Sequence, residues 1–221
     1  MMEASERMPL WVLNSSYDHE LQEMDGKCPS IYSGPRETEK KLITGPCLPP
    51  WTAPALLAWF LWVVKTKKVD REDGEVELEG LLGEGYLERV KDRGLVVKGW
   101  VDQEEILRHR AIGGFLSHCG SNSVFEAAFH GVPVLGWPGG GDQRVNAEVV
   151  VRRGLGIWVK EWSWEGEEEV VMGEEIGERV RQLMEDEGLQ ASAARLREEA
   201  VKAVAEDGSS GKGLAEFIRM L

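Results

Sequence analysis

The fold is decided by residues 100–143, which read WVDQEEILRHRAIGGFLSHCGSNSVFEAAFHGVPVLGWPGGGDQ. Two short apolar runs, IGGFLSH (112–118) and VPVLGW (132–137), flank NSVFEAAFH (122–130), which has helical periodicity. Apolar runs that alternate with amphipathic segments at this spacing predict strand–helix–strand units and a parallel sheet. The sequence therefore predicts an α/β fold.

The same alternation continues on both sides of this stretch. Right-handed crossovers place the carboxyl ends of such strands at one edge of the sheet, where ligands bind. Val124, Ala127 and Ala128 form the stripe by which the central helix is expected to meet the core. The remaining predicted elements are the strands 60–64, 95–99 and 155–159, the helices near 85–91, 103–109, 142–153, 173–187 and 189–206, and a short final helix, LAEFIRM, after a break at GSSGKG.

Residues 1–55 differ in character from the rest of the chain. They contain scattered Pro and Gly and show no sustained period of 2 or 3.6 residues. Such a segment is typical of loop or of a poorly ordered extension. The expected division is an irregular N-terminal extension over 1–55 and one ligand-binding domain over 56–221.

Composition limits the classes of partner. With 26 Lys and Arg against 39 Asp and Glu, the formal net charge is −13, which disfavours nucleic acid and anionic membranes. The apolar run 53–64 is too short to cross a bilayer and contains Pro54. Three cysteines without paired spacing suit a reducing compartment, and Cys119 is expected to be a small core side chain. A cytoplasmic protein without a membrane span is predicted.

The segment after the strand at 112–118 suggests an anion site on its own chemistry. His118 ends the strand, and a glycine turn leads into a helix whose first N–H groups have no intrahelical acceptor. Ser121, Asn122 and Ser123 add neutral donors. Each of these three could instead be an ordinary helix N-cap, so the residues alone support only a phosphate-binding α/β domain.

The spacing of HCG, NS, Glu126, Gly131, Pro133, Pro138 and DQ within this stretch resembles the nucleotide-sugar box of plant UDP-glycosyltransferases. The resemblance runs from about Phe60 to the C-terminus. It implies a Rossmann-like parallel sheet, the C-terminal donor domain of a GT-B glycosyltransferase, in incomplete form. The stretch GWVDQEE, with Asp102 where most members have Pro, resembles the plant C-glucosyltransferases that act on 2-hydroxyflavanones and related phenolics.

The resemblance also assigns roles at the nucleoside end of a bound UDP-sugar. Trp100 would stack on uracil, since a flat π-face suits a planar base. Gln103 would lie by the uracil edge. Glu126 would accept hydrogen bonds from both ribose hydroxyls, as an ionised carboxylate does well. The alternatives are core packing for Trp100 and a solvated helix position for Glu126.

At the other end, the resemblance implies contacts to the diphosphate and the sugar. His118, Asn122 and Ser123 would hold the diphosphate beside the backbone at Gly120. Asp142 and Gln143 would read the sugar hydroxyls, because a carboxylate accepts while an amide both donates and accepts. Ser121 would border the sugar pocket. The predicted donor-binding residues are thus Trp100, Gln103, His118, Gly120, Ser121, Asn122, Ser123, Glu126, Asp142 and Gln143.

Several features depart from the family pattern. Ser121 stands where members nearly always have Trp, a ring that walls the sugar pocket. The glycines at 139–141 replace a bulkier segment, which raises the entropic cost of ordering the loop. No counterpart is expected for the family's catalytic His and Asp, and His19 lacks a suitable strand–helix setting. The first strand of the donor domain is also expected to be missing.

Two functions from different classes follow. The first is a UDP-glycosyltransferase, inverting by resemblance, that transfers glucose from UDP-glucose to a phenolic or flavonoid acceptor without cofactor or metal. O- and C-transfer both stay open, and this chain would supply the donor half. The alternative is a truncated or degenerate module that binds UDP without turnover. An unrelated Rossmann-like binder would need G-x-G-x-x-G after the first strand, and that motif is absent.

Overall fold

A computed structural model describes residues 10–15, 59–64, 78–82, 85–162 and 171–220. Six strands form one parallel sheet in the order β3-β2-β1-β4-β5-β6. Their bounds are β1 Leu10–Ser15, β2 Trp59–Val64, β3 Gly94–Lys98, β4 Ile112–Ser117, β5 Val134–Gly136 and β6 Gly156–Trp158.

Helices alternate with these strands and then close the described chain. They are α1 Leu78–Leu82, α2 Tyr86–Val90, α3 Gln103–Arg108, α4 Ser121–His130, α5 Gln143–Arg152, α6 Gly173–Glu185, α7 Glu187–Val204 and α8 Ser209–Arg219. Among the described helices, none combines the length and apolar character needed to cross a membrane. The α/β class and the parallel sheet predicted from the sequence are confirmed.

The first strand corrects the prediction for the N-terminal segment. Leu10–Ser15 was expected to be irregular, and the first strand of the domain was expected to be missing. The structure instead pairs this segment with β2 on one side and β4 on the other. Sequence periodicity could not reveal this because the pairing joins segments far apart in the chain. The prediction of an irregular 1–55 is wrong for these six residues.

The C-terminal helix also differs from its prediction. GSSGKG was expected to break the chain, but α8 begins at Ser209 and includes most of this motif. A Cβ at Gly208 or Gly211 would overlap carbonyl oxygens at the end of α7. These glycines therefore allow the backbones of α7 and α8 to approach closely. This close approach explains the glycines, which were expected to interrupt the chain. The short helix α1 was not predicted.

Strands β4 and β5 are buried on both faces, as the continuous apolar runs predicted. Consecutive residues of a strand point to opposite faces, so Leu116 and Leu135 join one core while Phe115 and Val134 join the other. The first core also receives α2 and α6, and Trp62 meets Tyr86 edge to face at 5.9 Å. Ala127 of the predicted helix stripe is fully buried in the second core, with Val124 and Ala128 packed against it.

The strand order locates the edge at which a ligand can bind. The chain builds the sheet outward from β1 to β3, then returns to the other side of β1 for β4, β5 and β6. The sheet therefore has a topological switch point between β1 and β4. In open parallel sheets a crevice opens there, outside the carboxyl ends of the strands.

We predict that Gly156→Ala destabilises the fold. A Cβ at this position would overlap the carbonyl oxygen of Val134 on the neighbouring strand, so β5 and β6 must separate. The expected loss of unfolding free energy is about 1–3 kcal/mol, measured by urea denaturation. Gly140→Ala is the matched control, because nothing lies within 4 Å of its added Cβ. Equal stability of the two variants would contradict the packing of β6.

Candidate functional site

The predicted donor-binding residues follow the carboxyl ends of three strands. Trp100 follows β3, the segment 118–123 follows β4, and Asp142 follows β5. Because the strands are parallel, these ends lie at one edge of the sheet, the edge where the switch point opens. The sheet thus gathers residues that are far apart in sequence into one region.

The turn after β4 has an unusual backbone. Cys119 adopts φ 63°, the left-handed region that side chains rarely occupy. Such a conformation costs about 1–2 kcal/mol in a residue other than glycine. Two side chains hold it: the N–H of Cys119 donates to Oγ of buried Ser117 at 3.1 Å, and its carbonyl accepts from Nδ2 of Asn146 at 3.0 Å.

The side chain of Cys119 packs beneath this turn. It is fully buried, and a Cβ at Gly136 on β5 would lie 3.0 Å from its Sγ. Burial raises the pKa of the thiol to about 12, so it stays protonated at physiological pH. The prediction that Cys119 is a small core side chain is confirmed, and the residue is unsuited to nucleophilic work.

Gly120 has a steric reason to be glycine. An added Cβ would lie 2.5 Å from Nε2 of His118, so the imidazole ring lies directly against this backbone. His118 is half-buried, and its contact with Gly120 places its ring beside the start of α4. This proximity brings an imidazole and the first N–H groups of a helix together, a combination suited to an anion.

The first turn of α4 consists of Ser121, Asn122 and Ser123. Gly120 occupies the N-cap position, so none of these three residues is the ordinary N-cap considered above. Ser121 and Asn122 are exposed while Ser123 is buried. Their backbone N–H groups have no acceptor within the helix, and the helix dipole favours negative charge here.

Gln103 and Glu126 are brought together across two helices. Nε2 of Gln103, at the start of α3, donates to Oε2 of Glu126 at 2.6 Å and to Oγ of Ser123 at 3.1 Å. Glu126 is half-buried, which disagrees with the alternative of a fully solvated helix position. The amide thus holds the carboxylate at one side of the turn after β4.

Trp100 is 85% exposed, so core packing is not its role. The adjacent Asp102 caps α3, since its side chain accepts the N–H of Glu105 at 2.9 Å. This cap fixes where α3 begins and hence the position of Gln103. Asp102, noted above as a departure from the usual Pro, has a clear structural role in this chain.

Asp142 and Gln143 lie where the loop after β5 enters α5. Asp142 is exposed, and its Oδ2 accepts from Nδ2 of Asn146 at 3.2 Å. Oε1 of Gln143 accepts the N–H of Gly139 at 2.8 Å. Gln143 therefore helps to order the three-glycine loop that the sequence identified as entropically costly.

Sequence reasoning missed two residues of this region, Ser117 and Asn146. Each left a weak signal. Ser117 precedes Cys119 by two positions, the spacing at which a hydroxyl accepts a turn N–H. Asn146 lies four residues after Asp142, which places both on one helix face. In the part of the chain that the structure describes, no group of three acidic, His or Cys side chains could hold a metal.

Comparison with protein families matches residues 86–176 to the family described as "UDP-glucoronosyl and UDP-glucosyl transferase". Over these residues the chain matches the UDP-glycosyltransferase family. The matched residues contain Trp100, the turn after β4 and the start of α5. Every predicted donor-binding residue therefore lies within the family segment.

Individual relatives agree with this assignment. UDP-glycosyltransferase CGT of Oryza sativa subsp. indica is 60% identical over 161 residues, which are 73% of this chain and 34% of that protein. Phloretin 2'-O-glucosyltransferase of Malus domestica is 43% identical over 169 residues, 72% of this chain and 35% of its own length. The chain spans about a third of the length of these relatives.

The fold of solved glycosyltransferases is shared as well. The crystal structure of LpCGTa in complex with UDP superposes with a TM-score of 0.71 at 37% identity. The match covers 96% of this chain and 42% of that one. The Rossmann-like sheet predicted from the nucleotide-sugar box is thus confirmed as a glycosyltransferase fold, present over part of its length.

We predict that Gly120→Ala weakens UDP binding by displacing the imidazole of His118, with little effect on stability. Loss of one hydrogen bond to a charged group corresponds to a rise in Kd of about tenfold or more, measured by calorimetric titration. The double variant Gly120→Ala/His118→Ala should bind no worse than His118→Ala alone. Fully additive losses of UDP affinity would show that Gly120 affects binding independently of His118.

Proposed function

We propose that this chain is the donor-binding part of a UDP-glucosyltransferase that transfers glucose to a phenolic acceptor. The observation that carries the proposal is the grouping of an exposed Trp100, the His118–α4 anion turn and Glu126 at one sheet edge. A nucleotide-sugar presents a flat base, a ribose diol and a diphosphate in that order. Trp100 matches the base, Glu126 matches the ribose diol, and the His118–α4 turn matches the diphosphate.

The nucleoside end is proposed to bind between Trp100 and Glu126. An indole that is 85% exposed leaves a large apolar face in water, and stacking on uracil would remove that face from solvent. The Glu126 carboxylate, already oriented by Gln103, has acceptor capacity for two ribose hydroxyls. Gln103 thus supports Glu126, in addition to its expected place by the uracil edge.

The diphosphate is proposed to lie against the first turn of α4 and His118. In a chain with net charge −13, an anion must be held by local donors, and helix N–H groups with an imidazole provide them. The same donors would stabilise the UDP leaving group as the bond between its phosphate oxygen and the anomeric carbon breaks. The acceptor oxygen or carbon bonds to the anomeric carbon as its proton passes to a general base, for which this chain is expected to carry no counterpart.

The sugar is proposed to lie near Asp142 and Gln143, at the start of α5. Asp142 is exposed at this edge and can accept from sugar hydroxyls, while the Gln143 amide group can donate. Relatives named as a CGT and as a phloretin 2'-O-glucosyltransferase support glucose transfer to phenolic acceptors, with C-transfer and O-transfer both represented. A cytoplasmic location without nucleic-acid partners stays a prediction.

A second candidate is a module that binds UDP but performs no transfer. Ser121 favours it, because an exposed serine opens α4 where the family pattern places a tryptophan wall. The two candidates differ in the affinity that the sugar adds to UDP. Calorimetric titration should show tighter binding of UDP-glucose than of UDP under the first candidate and equal affinities under the second.

We predict that Glu126→Gln weakens UDP binding by about 10- to 100-fold, the range expected when hydrogen bonds to a charged acceptor are lost. The change is nearly isosteric, so the melting temperature should stay close to that of the original chain. Calorimetric titration with UDP measures the effect. Glu198→Gln, at an exposed position on α7, is the matched control and should bind normally. Unchanged affinity of Glu126→Gln would overturn the assigned ribose site.

We predict that Ser121→Trp raises the affinity for UDP-glucose by about fivefold, since an added aromatic contact contributes on the order of 1 kcal/mol. Affinity for UDP alone should not change, because the indole would border the sugar. Ser121→Ala tests whether the gain requires the ring. An equal gain for both ligands would contradict placement of the sugar beside Ser121.

A further inference from the structure

Asn146 joins two parts of the site that no sequence motif connects. Its Nδ2 donates to the carbonyl oxygen of Cys119 at 3.0 Å and to Oδ2 of Asp142 at 3.2 Å. Both partners are acceptors only, so both amide hydrogens have a defined direction. One planar group therefore ties the turn after β4 to the first turn of α5.

The conformation of Asp142 shows that this link replaces an ordinary interaction. Asp102 and Asp186 also precede helices, and each accepts a backbone N–H from its own helix. Asp142 holds the same position before α5 yet makes no such bond, and its ψ is −12°, against 92° for the other two. Its carboxylate instead reaches one turn along α5 to Asn146.

We propose that Asn146 is a positioning residue that couples the diphosphate turn at Cys119 to the sugar-reading carboxylate of Asp142, an inference that rests on the proposed donor site. The Cys119 backbone is held in a strained left-handed conformation, and the Asn146 amide stabilises its carbonyl. A shift of this amide would displace the anion turn and the carboxylate together. In this role Asn146 acts through Cys119 and Asp142 and not by contact with the ligand.

The first test needs no ligand. In Asn146→Ala the peptide covering 117–123 should exchange its amide hydrogens at least several-fold faster, as measured by hydrogen–deuterium exchange mass spectrometry. Gln190→Ala is the matched control, because Gln190 on α7 also donates its amide to a carbonyl, that of Leu183 on α6, and neither helix carries a proposed donor-site residue. Exchange equal to that of the control would overturn the coupling.

The second test separates positioning from a merely structural role. In the original chain, Asp142→Ala should weaken UDP-glucose binding more than UDP binding. In the Asn146→Ala background, the same change should have little further effect, since the carboxylate has already lost its orientation. Fully additive losses, or a lowered melting temperature with unchanged Kd values, would show that Asn146 supports only the fold.

Failure of the proposed function and failure of the positioning role of Asn146 would give different results. If the original chain binds no UDP, the proposed function is wrong, and the exchange experiment still decides whether Asn146 holds the turn. If the original chain binds UDP and UDP-glucose while Asn146→Ala changes neither the exchange nor the double-variant result, the donor site stands and the positioning role is wrong.

Discussion

The left-handed backbone of Cys119 is the constraint on which the rest of the site depends. At φ 63° the chain leaves β4 and enters α4 within a few residues, so the helix starts directly above the end of a central strand. The conformation is unfavourable by itself. Ser117 from within the turn and Asn146 from α5 offset its cost, and Gly136 leaves room for the thiol beneath it.

From this turn the binding chemistry extends in two directions. Toward the proposed nucleoside site, the capped start of α3 sets Gln103 against Glu126, and Trp100 is exposed. Toward the proposed sugar site, Asn146 reaches Asp142, while Oε1 of Gln143 accepts the N–H of Gly139 in the glycine loop. Electrostatics explains why backbone donors matter here, because a chain of net charge −13 offers little long-range attraction for a diphosphate.

Much of this was accessible from the sequence, for physical reasons. Strands buried on both faces, such as 60–64 and 112–117, are visible in the sequence as continuous apolar runs. The resemblance to the nucleotide-sugar box then indicated which residues lie at the carboxyl ends of the strands. What escaped depends on contacts between distant segments. β1 forms a strand because it pairs with β2 and β4. The start of α8 within GSSGKG depends on close backbone contact with the end of α7. The role of Asn146 depends on its hydrogen bond to the carbonyl of Cys119 on another element.

An amide chemical-shift titration of the ¹⁵N-labelled chain with UDP tests whether the turn after β4 binds a diphosphate. We expect saturable shifts at Gly120, Ser121, Asn122 and Ser123 that share one Kd with the Trp100 indole N–H, and no shift along α8. Shifts absent from the first turn of α4, or spread over the surface without saturation, would contradict a preformed diphosphate site at the end of β4.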